Sequence, residues 1–271
     1  MTTTKGTAVV TGASRGIGAT YADRLAKRGY DLILVARNEA QLAALAARLK
    51  SETGRSVTLL LADLGSKGDL ARVETRLRED QSIVMLVNNA GLGAVTPLLK
   101  SDVEKMDQMI ALNVTALTRL TYAAAPGFAA RRAGTIINIA SVAGISPEML
   151  NGVYGATKAY VLAFSHSLQH ELAARGIRIQ AVVPSTIATD LWAVAGLPYQ
   201  KLPSSIVMSA EDVVDAALAG LDQGELVTLP SLHDAEAWTQ FEAGRRALSK
   251  KFGNSVPAPR YRIDPNRPSS P

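Results

Sequence analysis

Tyr154 and Lys158 stand four residues apart, and on a helix that spacing stacks two side chains on one face, with about 5–6 Å between Cβ atoms. A cation beside a phenol favours the phenolate. The spacing therefore predicts a tyrosine drawn below its ordinary pKa of ~10 and able to exchange a proton near neutral pH. Ser141, at the end of an apolar run, could hydrogen-bond the same substrate oxygen. By itself the pair is not distinctive, since any long helix can carry Tyr and Lys at this spacing on a solvated face. Its meaning depends on the elements that position it.

Those elements alternate. Thr7–Thr11 reads as a short buried strand, followed at once by Gly12, Gly16 and Gly18 and then a helical stretch over 17–27. Strand, glycine turn and helix form the arrangement in which backbone N–H groups at a helix N-terminus hold a phosphate, and glycine lets the backbone approach it. The spacing is Gly-x-x-x-Gly-x-Gly, different from the Gly-x-Gly-x-x-Gly fingerprint. An apolar strand over 30–36 precedes a helix capped by Asn38, with Gln41 in the capping-box position. Strand 57–61, helix 66–79 and strand 83–88 follow, then a long helix opened by Ser101 with Glu104 as its partner. Strand 135–140, helix 152–174, strand 177–183, helix 210–221 and a short strand 225–229 complete the series. Near-continuous Val/Ile/Leu strands between helices predict a doubly wound α/β fold, a Rossmann-type parallel sheet covered on both faces.

In such sheets ligands bind beyond the carboxyl ends of the strands. Gly12–Gly18, Arg37, Asp63, the run Asn88-Asn89-Ala90-Gly91, Ser141 and Pro184 to Thr189 all follow successive strands. Six strands thus deliver polar residues or glycines to one edge.

Composition agrees. The chain has 271 residues, enough for one α/β domain, and 47% hydrophobic with 20% charged residues is incompatible with a mostly disordered chain. It has no cysteine, which excludes disulfides and thiolate chemistry and fits the cytoplasm. No secretion signal and no apolar run of the ~20 residues needed to cross a bilayer is visible. The net charge of +5 is concentrated at the end, where Arg245, Arg246, Lys250, Lys251, Arg260, Arg262 and Arg267 face only Asp264. A basic tail on a nearly neutral body reads as a solvated or subunit-contacting tail, not as a nucleic-acid or membrane surface. The expected organisation is one domain over 1–252, with a substrate loop at about 185–208, and a Pro-rich basic tail over 253–271.

Taken in order, Thr11-Gly12-Ala-Ser-Arg-Gly16-Ile-Gly18, Asn88-Asn89-Ala90-Gly91, Asn113, Ser141 and Tyr154-x-x-x-Lys158 closely resemble the short-chain dehydrogenase/reductase family over about residues 5–229. The resemblance implies an oxidoreductase that moves a hydride between a nicotinamide and a carbonyl or secondary alcohol. Tyr154 would be the general acid/base, Ser141 would orient the oxygen, and Lys158 would lower the Tyr154 pKa and bind the nicotinamide ribose. Asn113 would hold a water serving proton return. Cofactor contacts would come from Gly12, Ser14, Arg15, Gly16, Ile17, Gly18, Arg37, Asp63, Leu64, Asn89, Ala90, Gly91, Tyr154, Lys158, Pro184, Ile187 and Thr189. The family also suggests a homo-oligomer, a dimer or a tetramer. One departure is Ser185, where the family usually has Gly after Pro184; its side chain is expected to alter the loop or narrow the pocket.

An NAD site places Asp or Glu at the end of strand two, about ~20 residues past the glycine turn. Here Ala36-Arg37 stands there, and with Arg15 two guanidiniums could grip a 2′-phosphate, so NADP(H) is the expected cofactor. The resemblance implies that the apolar segment with Trp192, Leu197, Pro198, Tyr199 and Pro203 caps the substrate pocket, which makes a moderately apolar small-molecule carbonyl or alcohol the expected substrate; a subunit contact is the alternative for this segment, and Met149, Leu150 and Asn151 are expected to line the same pocket. His166 and His170 lie four apart, but Ser167 replaces the acid a zinc-protease motif needs, so no metal is expected. Since fold alone does not establish catalysis, the alternative is a catalytically silent nucleotide-binding regulator or scaffold.

Overall fold

A computed structural model describes residues 4–188 and 199–261. The chain divides into two compact units, Met1–Ser231 and Leu232–Pro271. The first contains the sheet. Its seven strands are β1 (Thr7–Thr11), β2 (Asp31–Ala36), β3 (Val57–Leu61), β4 (Ile83–Asn88), β5 (Gly134–Ile139), β6 (Ile177–Val182) and β9 (Val227–Thr228), in the order β3-β2-β1-β4-β5-β6-β9 and all parallel. Chain order reverses between β1 and β4, which opens a crevice at the carboxyl ends of those two strands.

Alternation along each strand sends neighbouring residues to opposite faces. Val10, Leu32 and Leu34 enter one apolar cluster with α1 (Gly16–Lys27), α2 (Glu39–Thr53) and α7 (Ala210–Gln223). Val9, Ile33, Val35, Leu86 and Ile136 enter the other with α3 (Lys67–Glu79), α5 (Leu117–Arg131) and α6 (Gly152–Leu172). Each fully buried Leu, Ile or Val in these layers contributes roughly 1.5–3 kcal/mol relative to exposure. A small two-stranded sheet pairs β7 (Thr186–Ile187) with β8 (Val207–Met208), an element the sequence reading did not foresee.

Two expectations change in detail. The helix after β4 starts not at Ser101 but at α4 (Val103–Ile110), where Asp102 accepts from the Glu104 amide. Asp102 competes successfully because its charge also complements the helix dipole, while Ser101 donates to the Thr96 and Pro97 carbonyls. The long helix is also interrupted. A π-helical stretch, Ala111–Ala116, separates α4 from α5, a widening that turns a side chain out of the regular helical stripe. Asn113 lies within it.

Polar links fix α6 against the sheet. Asn88 Nδ2 donates to Asn138 Oδ1 (2.9 Å) and Thr121 Oγ1 (3.2 Å), and Asn138 Nδ2 donates to Ser165 Oγ (3.0 Å). These buried amides tie β4, β5, α5 and α6 into one register, and breaking such a network leaves unpaired polar groups costing about 1–3 kcal/mol each. In the second unit, α8 (Ala235–Ser249) is capped by Asp234 and stacks Trp238 on Phe241 with ring centres 5.3 Å apart. No helix among the described residues is long and apolar enough to cross a membrane.

Candidate active site

The glycine turn is built by close packing. Gly12 (φ 64°) and Gly16 (φ 55°) occupy left-handed backbone, which costs other residues dearly. A Cβ on Gly18 would lie 2.2 Å from the Gly12 carbonyl oxygen, so α1 can start this close to β1 only with glycine there. Thr11 Oγ1 accepts from the amides of Asn89 and Ala90 (both 3.0 Å), and Asn89 Nδ2 donates to the carbonyls of Thr11 (2.9 Å) and Gly12 (3.2 Å). The end of β4 is thereby locked onto the turn across the crevice. No side chain caps α1, whose N-cap is Arg15, so its first amides are available to an anionic ligand.

At the end of β2, Arg37 is 73% exposed at its side chain and pairs with Asp63 of the β3 end at 3.6 Å. Asp63 is itself oriented, its Oδ1 accepting from the Gly65 amide at 2.9 Å. Charges of both signs therefore meet at this mouth of the crevice.

At the other end, Ser141 follows β5 and caps the short 3-10 turn Val142–Gly144, its Oγ accepting from the Ala143 amide. Tyr154 and Lys158 lie in the first two turns of α6, with 7% and 8% of their surface exposed. The Ser141 hydroxyl stands near enough to that of Tyr154 to lower its pKa. Lys158 Nζ donates to the Ile139 carbonyl at 2.8 Å and sits 5.9 Å from the Tyr154 ring centre. The turn and α6 approach so closely at Gly144 that a Cβ there would stand 2.7 Å from the Lys158 carbonyl.

The electrostatics correct one expectation. Burial pushes the Tyr154 hydroxyl above its ordinary value, and the Ser141 hydroxyl only partly offsets this; the spacing argument predicted a shift downward. The reason is desolvation: a phenolate would be generated in a nearly water-free wall, while Lys158 spends a proton on Ile139. Burial also lowers Lys158 from 10.5 to about 8.

A cavity of about 740 Å³ joins the two ends. Of the residues expected from sequence, Gly12, Ser14, Arg15, Gly16, Ile17, Arg37, Asp63, Leu64, Asn89, Ala90, Gly91, Ser141, Tyr154, Lys158, Pro184 and Ile187 line it, as do Met149, Leu150 and Ser185. Gly18 serves packing instead. Asn113 stands behind the wall: its Oδ1 accepts from the Leu92 amide (2.8 Å) while its Nδ2 donates to the Leu92 carbonyl (2.9 Å) and Thr157 Oγ1 (3.1 Å). It remains close to the site, since a Cβ on Gly91 would lie 3.1 Å from Asn113 Oδ1 and 3.8 Å from Lys158 Nζ. Asn151, expected on the wall, caps α6. Thr189, Trp192, Leu197 and Pro198 lie outside the described residues. Sequence reasoning missed Asn38 and Gln41, assigned only to capping, and Val95 and Leu202. Leu202 carried no readable signal, because the chain around it returns toward the cavity only through the β7–β8 pairing. Among the described residues no group of three or more His, Asp or Glu could hold a metal ion.

This arrangement coincides with sequence kinship. A short chain dehydrogenase family model matches residues 6–197, and the chain belongs to that family. It is 35% identical over 209 residues to a very-long-chain 3-oxoacyl-CoA reductase of Anas platyrhynchos, covering 75% of this chain and 67% of that protein. The human protein of the same name is 34% identical, and the chain spans 60% of it. Among solved structures, a short-chain dehydrogenase from Sphingobium yanoikuyae in complex with NADPH superposes with a TM-score of 0.91 at 47% identity, covering 93% of this chain and 98% of that one. A bulky-bulky ketone specific alcohol dehydrogenase from Comamonas testosteroni superposes with a TM-score of 0.88 at 45% identity, covering 96% and 99%.

Proposed function

We propose that the protein is an NADP(H)-dependent oxidoreductase of the cytoplasm that interconverts a ketone and a secondary alcohol, with Tyr154 as the general acid/base. The observation that carries this reading is the single cavity that has Ser141, Tyr154 and Lys158 on one wall and the glycine turn with Arg15 and Arg37 at its far end. The residues fit a phosphate-bearing dinucleotide. The uncapped start of α1 offers backbone amides, and the end of β2 presents Arg37 where an NAD site has a carboxylate. A 2′-phosphate would compete with Asp63 for the Arg37 guanidinium, 3.6 Å away. The 47% identity to the Sphingobium protein, described with NADPH, supports the same choice.

When bound, the nicotinamide supplies or receives the hydride. The chain's own residues handle the oxygen and its proton. In the reductive direction Tyr154 donates its phenolic proton to the carbonyl oxygen, and Ser141 holds that oxygen in line. Burial keeps the phenol protonated in the resting site, which suits an acid. Lys158, anchored on Ile139, stabilises the phenolate that forms. Such acid–base catalysis supplies typically ~10²–10⁴-fold, and alignment within the cavity supplies much of the rest. Leu92, Met149, Leu150 and Leu202 give the substrate end an apolar lining. With the 45% identity to the Comamonas enzyme, this favours a ketone bearing bulky groups on both sides of the carbonyl.

The test is Tyr154→Phe, followed by NADPH absorbance against ketones, aldehydes and 3-oxoacyl thioesters. The expected result is loss of turnover by at least ~10²-fold with NADPH affinity retained. Near-normal turnover in the variant would overturn the assignment, and a wild type that binds NADPH tightly but reduces nothing would favour a regulatory role.

A further inference from the structure

The cavity wall between β4 and α4 is a loop, yet it is held at both ends by asparagine side chains. Asn113 pins Leu92 through its amide and its carbonyl. Asn151 acts at the other end. It is 4% exposed, and its two halves make different bonds. Oδ1 accepts from the amides of Val153 (2.9 Å) and Tyr154 (3.2 Å), capping α6. Nδ2 donates to the Thr96 carbonyl (2.6 Å) and to Ser101 Oγ (3.1 Å), and Ser101 in turn donates to the carbonyls of Thr96 and Pro97. Between the pinned ends, Leu92, Ala94 and Val95 line the cavity, and Leu92 and Ala94 pack in one apolar cluster with Tyr154 and Leu150.

We propose that Asn151 is a positioning residue for substrate: its carboxamide clamps the wall segment 92–96 to the N-terminus of the helix that carries Tyr154, setting the distance between the apolar wall and the proton donor. The geometry explains why an amide is used. A cap needs only an acceptor, and Ser or Asp would serve; holding Thr96 and Ser101 at the same time needs a donor on a second atom of the same side chain, which among the preferred caps only Asn provides. The consequence falls on substrate binding more than on cofactor binding, because the clamped segment belongs to the wall beside Tyr154 and not to the glycine turn. This inference rests on the reading of Tyr154 as proton donor to a ketone.

Asn151→Ser and Asn151→Asp both keep an acceptor for the α6 cap; Asp has no donor, and Ser has only the hydroxyl on the capping oxygen itself, so both lose the separate donor that reaches Thr96 and Ser101. Each is compared with wild type by hydrogen exchange of the full-length protein, by NADPH binding followed by fluorescence, and by kinetics with an aryl alkyl ketone. Amides of residues 94–101 are expected to exchange at least about tenfold faster, and KM for the ketone to rise roughly tenfold, the loss of one or two hydrogen bonds. NADPH affinity stays close to wild type, while Tm falls by a few degrees, about what the loss of one or two buried hydrogen bonds costs. Unchanged exchange and KM in both variants would overturn the clamp. So would a fall in Tm with parallel loss of NADPH binding, which would reduce Asn151 to a cap. If wild type reduces no ketone, the functional reading fails, while exchange at 94–101 still decides the clamp.

Discussion

Replacing Gly144 by Ala probes how closely the Ser141 turn must approach the helix that carries Tyr154. The added Cβ would meet the Lys158 carbonyl carbon and oxygen at 2.7 Å and the Ala159 nitrogen at 2.8 Å. These are backbone atoms inside a regular helix and cannot rotate away. Ordinary contact begins at 3.4 Å, so the turn and α6 must part by about 0.7 Å. Overpacking of this kind costs typically 1–3 kcal/mol of stability. On the proposed roles of Ser141 and Tyr154 the larger effect is on rate, since Ser141 opens the turn that must move and Tyr154 lies in the first turn of the opposing helix. Misplacement by ~1 Å costs on the order of 10²-fold in rate, which for a 0.7 Å shift gives an expected fall in kcat of roughly 10–100-fold. Ketone reduction is followed by NADPH absorbance, with NADPH affinity and Tm measured alongside. Gly152→Ala is the control: it starts the same helix, and nothing lies within 4 Å of its Cβ. That variant should keep its rate and gain up to about 1 kcal/mol of stability. A Gly144→Ala enzyme with kcat within twofold of wild type would refute the reasoning.

Other perturbations address the remaining parts. Arg37→Asp is expected to lower the kcat/KM ratio of NADPH to NADH by roughly 10–100-fold, the loss of a charge-assisted bond; an unchanged ratio would remove Arg37 from the cofactor site. Asp23 is buried, which tends to raise its pKa, but Lys27, Arg48 and Arg24 together hold it at about 2, against 3.8 ordinarily. A lowered carboxylate stabilises above the unfolded value, so this contribution of at most about 2 kcal/mol is present at neutral pH and lost as pH falls from about 4 to about 2. Urea unfolding of Asp23→Asn should show that loss already at pH 7 and lack the acid-dependent part. Lys158 has the opposite arrangement. With its folded pKa at about 8 against 10.5, the cofactor-free protein releases this proton before the unfolded chain does, so stability rises between those values. The stability of wild type relative to Lys158→Met should increase by up to roughly 3 kcal/mol from pH 8 to 10.5; a constant difference would show that the ammonium is not desolvated.

The order of elements and the residues at strand ends were legible because they rest on local rules. Short, nearly continuous apolar runs such as 32–36 and 83–87, bounded by polar residues and lying between longer helical stretches, read as strands buried on both faces, and glycines directly after a strand mark a tight turn. Helix starts were legible where one cap had no rival, as at Asn38, and misplaced where Ser101 and Asp102 competed in adjacent positions.

Residue type and spacing by themselves determined the fold class, the family resemblance and most of the cavity wall, since all three follow from patterns written along the chain. Tertiary structure alone decided what the patterns do to one another. Four-residue spacing said that Lys158 lies beside Tyr154, but only burial decided that desolvation prevails and the phenol stays protonated. The π-helical stretch that aims Asn113 at Leu92, the 2.7 Å approach at Gly144 and the reach of Asn151 to Thr96 each join segments distant in sequence. Such contacts depend on packing geometry to tenths of an ångström, a quantity no local pattern carries.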